Sequence, residues 1–230
     1  MKKIGLLGGM SWESTATYYR LINEGIGREL GGLHSAEMLL YSVDFQEIET
    51  LQHSGEWERL GVLLSNAAYS LQKGGAEGLL ICTNTMHKVA DVISKNIHIP
   101  ILHIADATAE ELLTDDVQKV GLLGTAFTME EDFYKERLHT RFGLEVVTPR
   151  KQQREEIHRV IYEELCLGRT EQASRDYYSE VIDGMRKQGA QAVVLGCTEI
   201  GLLVSQGDSV LPLYDTTQIH AEAAVKWMLS

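Results

Sequence analysis

An internal duplication limits the folds open to this chain more sharply than any other feature. Ile4-Gly5-Leu6-Leu7-Gly8 returns as Val120-Gly121-Leu122-Leu123-Gly124. The stretch from Gly75 to Asn84, GAEGLLICTN, returns from Gly189 to Thr198 as GAQAVVLGCT. Ile99-Pro100-Ile101-Leu102 is answered by Leu211-Pro212-Leu213-Tyr214. The copies stand about half a chain apart, a period too long for a solenoid and suited to a duplicated α/β half. The repeat predicts two similar lobes related by a pseudo-twofold axis. Residues 1–104 plus 214–230 form one, with the last helix crossing back to close it, and residues 105–213 form the other. No low-complexity segment or long linker separates them, so the active site is expected in a cleft where the two halves meet.

Within each half, glycine and proline punctuate short apolar runs and longer amphipathic ones. Strands are predicted at 3–7, 36–43, 78–82, 99–103, 119–123, 144–148, 192–196 and 210–213. Helices are predicted near 14–29, 55–74, 85–95, 106–113, 129–141, 152–167, 170–188 and 216–228. Strands alternating with helices indicate an α/β fold in which each lobe is doubly wound about a parallel sheet, covered on both faces.

Charge and cysteine content remove several functional classes. A formal net charge of −12 over 230 residues leaves no basic stripe to offset phosphate repulsion, which argues against nucleic acid. A local nest of backbone N–H groups can still hold a carboxylate in an acidic protein. No apolar run is long enough to span a bilayer, so no membrane association is expected. The opening MKKIGLLGGMSWES imitates a signal peptide, but its apolar run ends within a few residues at two glycines, and it reads as a first strand. Three cysteines, Cys82, Cys166 and Cys197, form neither a disulfide framework nor a CxxC metal site, which suits a reducing cytoplasm. No HxH, HExxH or carboxylate cluster points to a metal. The turn Gly8-Gly9-Met10-Ser11 lacks the G-x-G-x-x-G spacing of a dinucleotide site, and no lysine lies in a strand-end motif to carry a pyridoxal Schiff base. No cofactor is expected.

Ligands of open parallel sheets bind beyond the carboxyl ends of strands. Two duplicated strands end in short polar segments, Cys82-Thr83-Asn84-Thr85 and Gly196-Cys197-Thr198-Glu199. The internal alignment sets Thr83 opposite Cys197 and Asn84 opposite Thr198. A twofold-related cleft would place two proton-carrying side chains on opposite faces of one bound molecule, the arrangement that stereo-inversion at a carbon requires.

The opening IGLLGGMSWEST, the CTNT and GCTE segments and the closing VLPLYDTTQIHAEAAV resemble the aspartate/glutamate racemase family over essentially the whole chain. The wider superfamily includes glutamate and hydantoin racemases, maleate isomerases and arylmalonate decarboxylases. The resemblance implies cofactor-independent racemisation of a small acidic amino acid by Thr83 and Cys197, in a homodimer. It implies substrate contacts at Met10 and Gln52, with Thr125 as the second-lobe counterpart of the glycine-rich turn. Asn84, Thr85 and Thr198 are candidate donors to the enolate-like charge that builds on the α-carboxylate.

The family usually places cysteine at both strand ends, and this chain does not. Thr83 takes the first position, and Cys82, one residue earlier, is expected to turn away into packing, since side chains alternate faces along a strand. A thiol has a reference pKa of about 8.5 and can be lowered into the working range; a hydroxyl is a far weaker acid. Cys197 is therefore expected to open the reaction and Thr83 to donate or relay a proton. Family members with threonine here resemble L-specific enzymes, which implies a preference for the L enantiomer. Two alternatives stay open: a superfamily decarboxylase or isomerase working through Cys197 alone, and an amino-acid-binding protein without catalysis.

Other residues carry two readings. Glu199 polarises the pocket or stabilises a helix start. Gln52 touches substrate or is a solvated loop amide. His87 caps or packs, or else tunes a neighbouring pKa, and His103 and His220 satisfy local hydrogen bonds. Cys166 is expected on a helical apolar stripe. Some family members place a basic residue near there to hold the distal carboxylate, and the segment Glu-Leu-Cys-Leu-Gly carries none. Trp12, Trp57 and Trp227 are expected to pack helices.

Overall fold

In the computed structural model, which describes residues 1–230, the chain divides into two compact units, Met1–Ile104 with His220–Ser230, and Ala105–Ile219. Each is built on one four-stranded parallel sheet.

The first unit contains β1 (Ile4–Gly8), β2 (Met38–Ser42), β3 (Gly78–Ile81) and β4 (Ile101–Leu102), in the order β2-β1-β3-β4. Helices α1 (Trp12–Leu30), α2 (Phe45–His53), α3 (Trp57–Lys73) and α4 (Ala90–Ser94) connect them. Every residue of β1 and β3 is buried, as a strand covered on both faces requires. The pleat sorts their side chains. Leu7, Leu79 and Ile81 enter one core with Leu60 and Leu64 of α3. Ile4, Leu6, Leu80 and Cys82 enter another with Tyr18 and Ile22 of α1, and with Ala224 and Val225 of α11 (Thr216–Leu229).

The second unit repeats the order as β6-β5-β7-β8, with β5 (Lys119–Gly124), β6 (Glu145–Val147), β7 (Ala192–Gly196) and β8 (Leu213–Asp215). Its helices are α5 (Ile104–Thr114), α6 (Ala126–Glu130), α7 (Asp132–Phe142), α8 (Lys151–Glu163), α9 (Gln172–Lys187) and α10 (Ile200–Leu203). Leu123, Val193 and Leu195 pack against Ile157 and Val160 of α8 and against Tyr178, Val181 and Met185 of α9. No helix is long and apolar enough to cross a membrane.

Several boundaries differ from the sequence reading. The last strand begins at Leu213 rather than at 210, because Pro212 has no N–H and contributes only its carbonyl, to Val193. That strand pairs with β7, so the chain rejoins the first unit at His220 rather than at 214. The helix read at 85–95 opens with a 3-10 turn, Thr85–Val89, before α4. The one read at 129–141 is α6 and α7, divided at Glu131, whose backbone is extended. The one read at 152–167 stops at Glu163, and Cys166 falls in a short 3-10 turn, half-buried against the core. Helices α2 and α10 had no counterpart in the reading. Trp57 and Trp227 pack as expected, but Trp12 opens α1 with 68 % of its surface exposed.

Candidate active site

The sequence-derived site residues form two half-sites, one at the carboxyl end of each sheet. In the first unit, β1 and β3 are neighbours, with Leu7 opposite Ile81, so the turn after β1 and the segment after β3 leave the sheet side by side. The first turn has a defined backbone. Gly9 takes φ 92°, and a Cβ there would lie 2.3 Å from the Val43 carbonyl oxygen, so only glycine fits. Its N–H donates to Thr15 Oγ1 at 2.8 Å, while the Thr15 hydroxyl donates to the Ser11 carbonyl at 2.8 Å. Ser11 caps α1 by accepting from the Ser14 N–H. Met10 is buried beside Leu51 and Met86 in one core cluster.

Past β3, Cys82 is wholly buried in packing, and burial pushes its thiol well up. Thr83 is the half-buried residue that follows, with Asn84 and Thr85 buried behind it. His87 turns back so that its Nδ1 meets the Thr83 carbonyl at 2.8 Å. Gln52 is not a loop amide: it lies on α2 with 2 % of its surface exposed.

In the second unit β5 and β7 are likewise neighbours, with Gly124 opposite Gly196. A Cβ at Gly196 would sit 2.8 Å from the Leu123 carbonyl, so glycine sets the approach of the strand that delivers Cys197. Thr125 caps α6 by accepting from the Thr128 N–H, as Ser11 caps α1. His158 of α8, absent from the sequence reading, accepts the Ala126 N–H at Nδ1 and holds the first residue of that helix.

The catalytic candidate of this half is organised by Glu199. The Cys197 thiol donates to Glu199 Oε2 at 3.0 Å, and the Thr198 hydroxyl donates to the same oxygen at 2.7 Å. Glu199 is also the residue from which α10 starts, and its side chain makes no capping hydrogen bond there. Burial, and then the neighbouring Glu199 charge, hold the Cys197 thiol well above its ordinary pKa. This corrects the expectation of a lowered thiol: burial and the Glu199 carboxylate both favour the protonated form of Cys197. No three His, Cys, Asp or Glu side chains are grouped closely enough to hold a metal ion.

Each of the two parallel-sheet units thus carries a polar half-site at its strand ends, and in the second unit a thiol is set against a carboxylate, the pairing of groups found in enzymes that move protons. The Asp/Glu/Hydantoin racemase family model matches residues 7–224, and the chain belongs to that family. It is 54 % identical to an Asp/Glu racemase candidate from Yersinia pestis, with all of both chains covered and a TM-score of 0.94. It is 37 % identical to an aspartate racemase homologue from Pyrococcus horikoshii OT3, again over all of both chains, with a TM-score of 0.85. The broad specificity amino-acid racemase RacX of Bacillus subtilis (strain 168) is 22 % identical, over 99 % of this chain and 98 % of its own length.

Proposed function

We propose that this protein racemises amino acids without a cofactor, acidic ones among them, and that it opens the L enantiomer more readily than the D. The observation that carries the reading is the Cys197 thiol donating to the buried Glu199 carboxylate. In the proposed cycle the thiol gives its proton to Glu199, and the resulting thiolate takes the α-proton of the L substrate. Charge that builds on the α-carboxylate is met by neutral donors such as Asn84, Thr85 and Thr198. Thr83 delivers a proton to the opposite face and regains one by relay from water, to which Glu199 returns its own. The cycle closes with no net change in the enzyme and requires that both half-sites serve one substrate.

Asymmetry between a thiol and a hydroxyl cannot bias the equilibrium between mirror images, so kcat/KM for inversion must be equal in both directions. The preference shows in exchange. From L, the thiol can trade its proton with solvent and return it to the same face; from D, removal depends on the poorly acidic Thr83 hydroxyl. In D2O, deuterium incorporation at Cα is expected to outrun inversion for L and not for D. Thr83→Cys supplies a second thiol. It is expected to raise inversion in both directions at least about tenfold, within the range of a positioned acid or base, and to make D exchange visible. Equal exchange-to-inversion ratios from the two enantiomers in the unsubstituted protein would sink the asymmetric cycle.

The side-chain end of the substrate has a second reading, favoured by Gln52. It is buried and carries a neutral amide, where a gripped distal carboxylate would favour a cation. Amide- and hydroxyl-bearing amino acids therefore join aspartate and glutamate as substrates to be ranked by kcat/KM. We also propose that copies of the chain pair. Exposed Trp12 and Tyr19 of α1 and Leu40 and Tyr41 of edge strand β2 support this, and light scattering tests it.

A further inference from the structure

Thr83 cannot deliver a proton to one chosen face unless its backbone is held, and it stands outside the regular hydrogen bonding of β3, which ends at Ile81. The hold comes from a histidine. The Ile104 N–H donates to His87 Nε2 at 3.2 Å, so that nitrogen presents a lone pair. The proton of the neutral ring then lies on Nδ1, which is 2.8 Å from the Thr83 carbonyl and donates to it. One ring ties Thr83, two residues past β3, to the last residue of the first unit, at the start of α5.

Aromatic packing fixes the ring. His103 lies edge-on to it, with centroids 4.4 Å apart, and His220 approaches at 5.9 Å. His220 is pinned in turn, with its Nε2 on the Leu102 carbonyl and its Nδ1 on the Tyr18 hydroxyl, both at 2.8 Å. All four side chains are buried.

We propose that His87 is a positioning residue for Thr83: held in its Nδ1–H tautomer, it clamps the Thr83 carbonyl and fixes the direction in which the Thr83 hydroxyl faces. It does not touch the substrate. The inference rests on the racemase reading for its consequence in turnover, but not for its geometry.

His87→Leu is expected to cut inversion about tenfold or more while Cα exchange of the L enantiomer, a Cys197 event, stays within about twofold. The exchange-to-inversion ratio therefore rises, a change that general damage to the fold does not produce. Asparagine and glutamine separate the two ends of the clamp. His87→Asn keeps an amide near the Nδ1 position and restores the ratio; His87→Gln reaches the Nε2 position and does not. If both activities fall in parallel in His87→Leu, or if glutamine rescues as well as asparagine, the positioning role is overturned. Imidazole 15N shifts at neutral pH test the geometry whatever the turnover. A protonated Nδ1 with an unprotonated Nε2 is expected for His87, and the opposite tautomer or a doubly protonated ring overturns the clamp. Absence of any Cα exchange in the unsubstituted protein would remove the racemase reading and leave the 15N result to judge the clamp.

Discussion

Glu199→Gln is expected to reduce inversion by about 10²–10⁴-fold, the range spanned by a positioned proton acceptor, while making the Cys197 thiol more acidic. The two effects point in opposite directions, which is what makes the variant informative. Burial is the first cause of the raised Cys197 pKa and the Glu199 charge the second. Removing the charge leaves burial in place, so the thiol remains above its ordinary value but falls relative to the unsubstituted protein. If Glu199 only crowded the thiol with negative charge, the variant would hold more thiolate and exchange L substrate faster. If Glu199 receives the thiol proton, the amide cannot, and L exchange and inversion fall together. Thiolate absorbance against pH reads the first quantity, and Cα exchange in D2O reads the second. Cys197→Ala sets the floor, with exchange and inversion both reduced to background. Faster L exchange in Glu199→Gln than in the unsubstituted protein would refute the acceptor role.

Much of this was legible in the sequence because the fold is written in repeats that parallel sheets demand. Continuous apolar runs such as Ile4–Gly8 and Ala192–Gly196 have no reading as amphipathic surface strands, and both are wholly buried. The duplication then carried the half-sites: whatever followed β3 had to correspond to what followed β7, and a one-residue offset separated Thr83 from Cys82. What stayed hidden depended on contacts between distant residues. His87 is separated by 17 positions from Ile104, the amide it accepts, and nothing in Thr-Met-His-Lys-Val announces that partner. His158 lies 32 positions from Ala126, inside a helix whose pattern explains it as one more amphipathic residue.

Other signals were present but weak. Asp44 accepts from the Gln46 N–H as the cap of α2, and Ile48 and Leu51 are spaced for a helical face. At nine residues, that helix is short enough to vanish between a strand and a longer helix. Missing it left a solvated loop amide open as one of the two readings of Gln52, when its place on a helix is what buries it. The acidity of Cys197 was misjudged for a different reason. The motif Gly-Cys-Thr-Glu shows that a carboxylate is near in sequence, but only the fold shows it within hydrogen-bond reach of the sulfur. A thiol beside a cation and a thiol beside a carboxylate shift in opposite directions.

His220 should make the first unit lose stability on mild acidification, and replacing it should abolish that loss. The ring is buried and spans the Tyr18 hydroxyl and the Leu102 carbonyl. Burial lowers its pKa from 6.5 to about 4, so the folded state keeps it neutral where the unfolded chain protonates. The sign follows from proton counting: between those two values the unfolded state binds more protons, so stability is whole above about pH 6.5 and drains away as pH falls toward 4. The gap corresponds to about 3 kcal/mol, a large share of a domain's usual margin. Carboxylates also titrate in the lower part of this window, so the measurement must be a difference. His220→Phe removes the hydrogen bonds that the ring makes to the Tyr18 hydroxyl and the Leu102 carbonyl and is expected to cost about 2–4 kcal/mol at pH 7. By pH 4.5 that deficit should shrink by about 2.5 kcal/mol, because the variant has no ring to protonate. Trp12, Trp57 and Trp227 all belong to the first unit, so tryptophan fluorescence during urea unfolding reports that unit selectively. Profiles of the two proteins that stay parallel from pH 7 to 4.5 would mean that His220 is accessible to protons in the folded state, and that the stack behind His87 is not a neutral one.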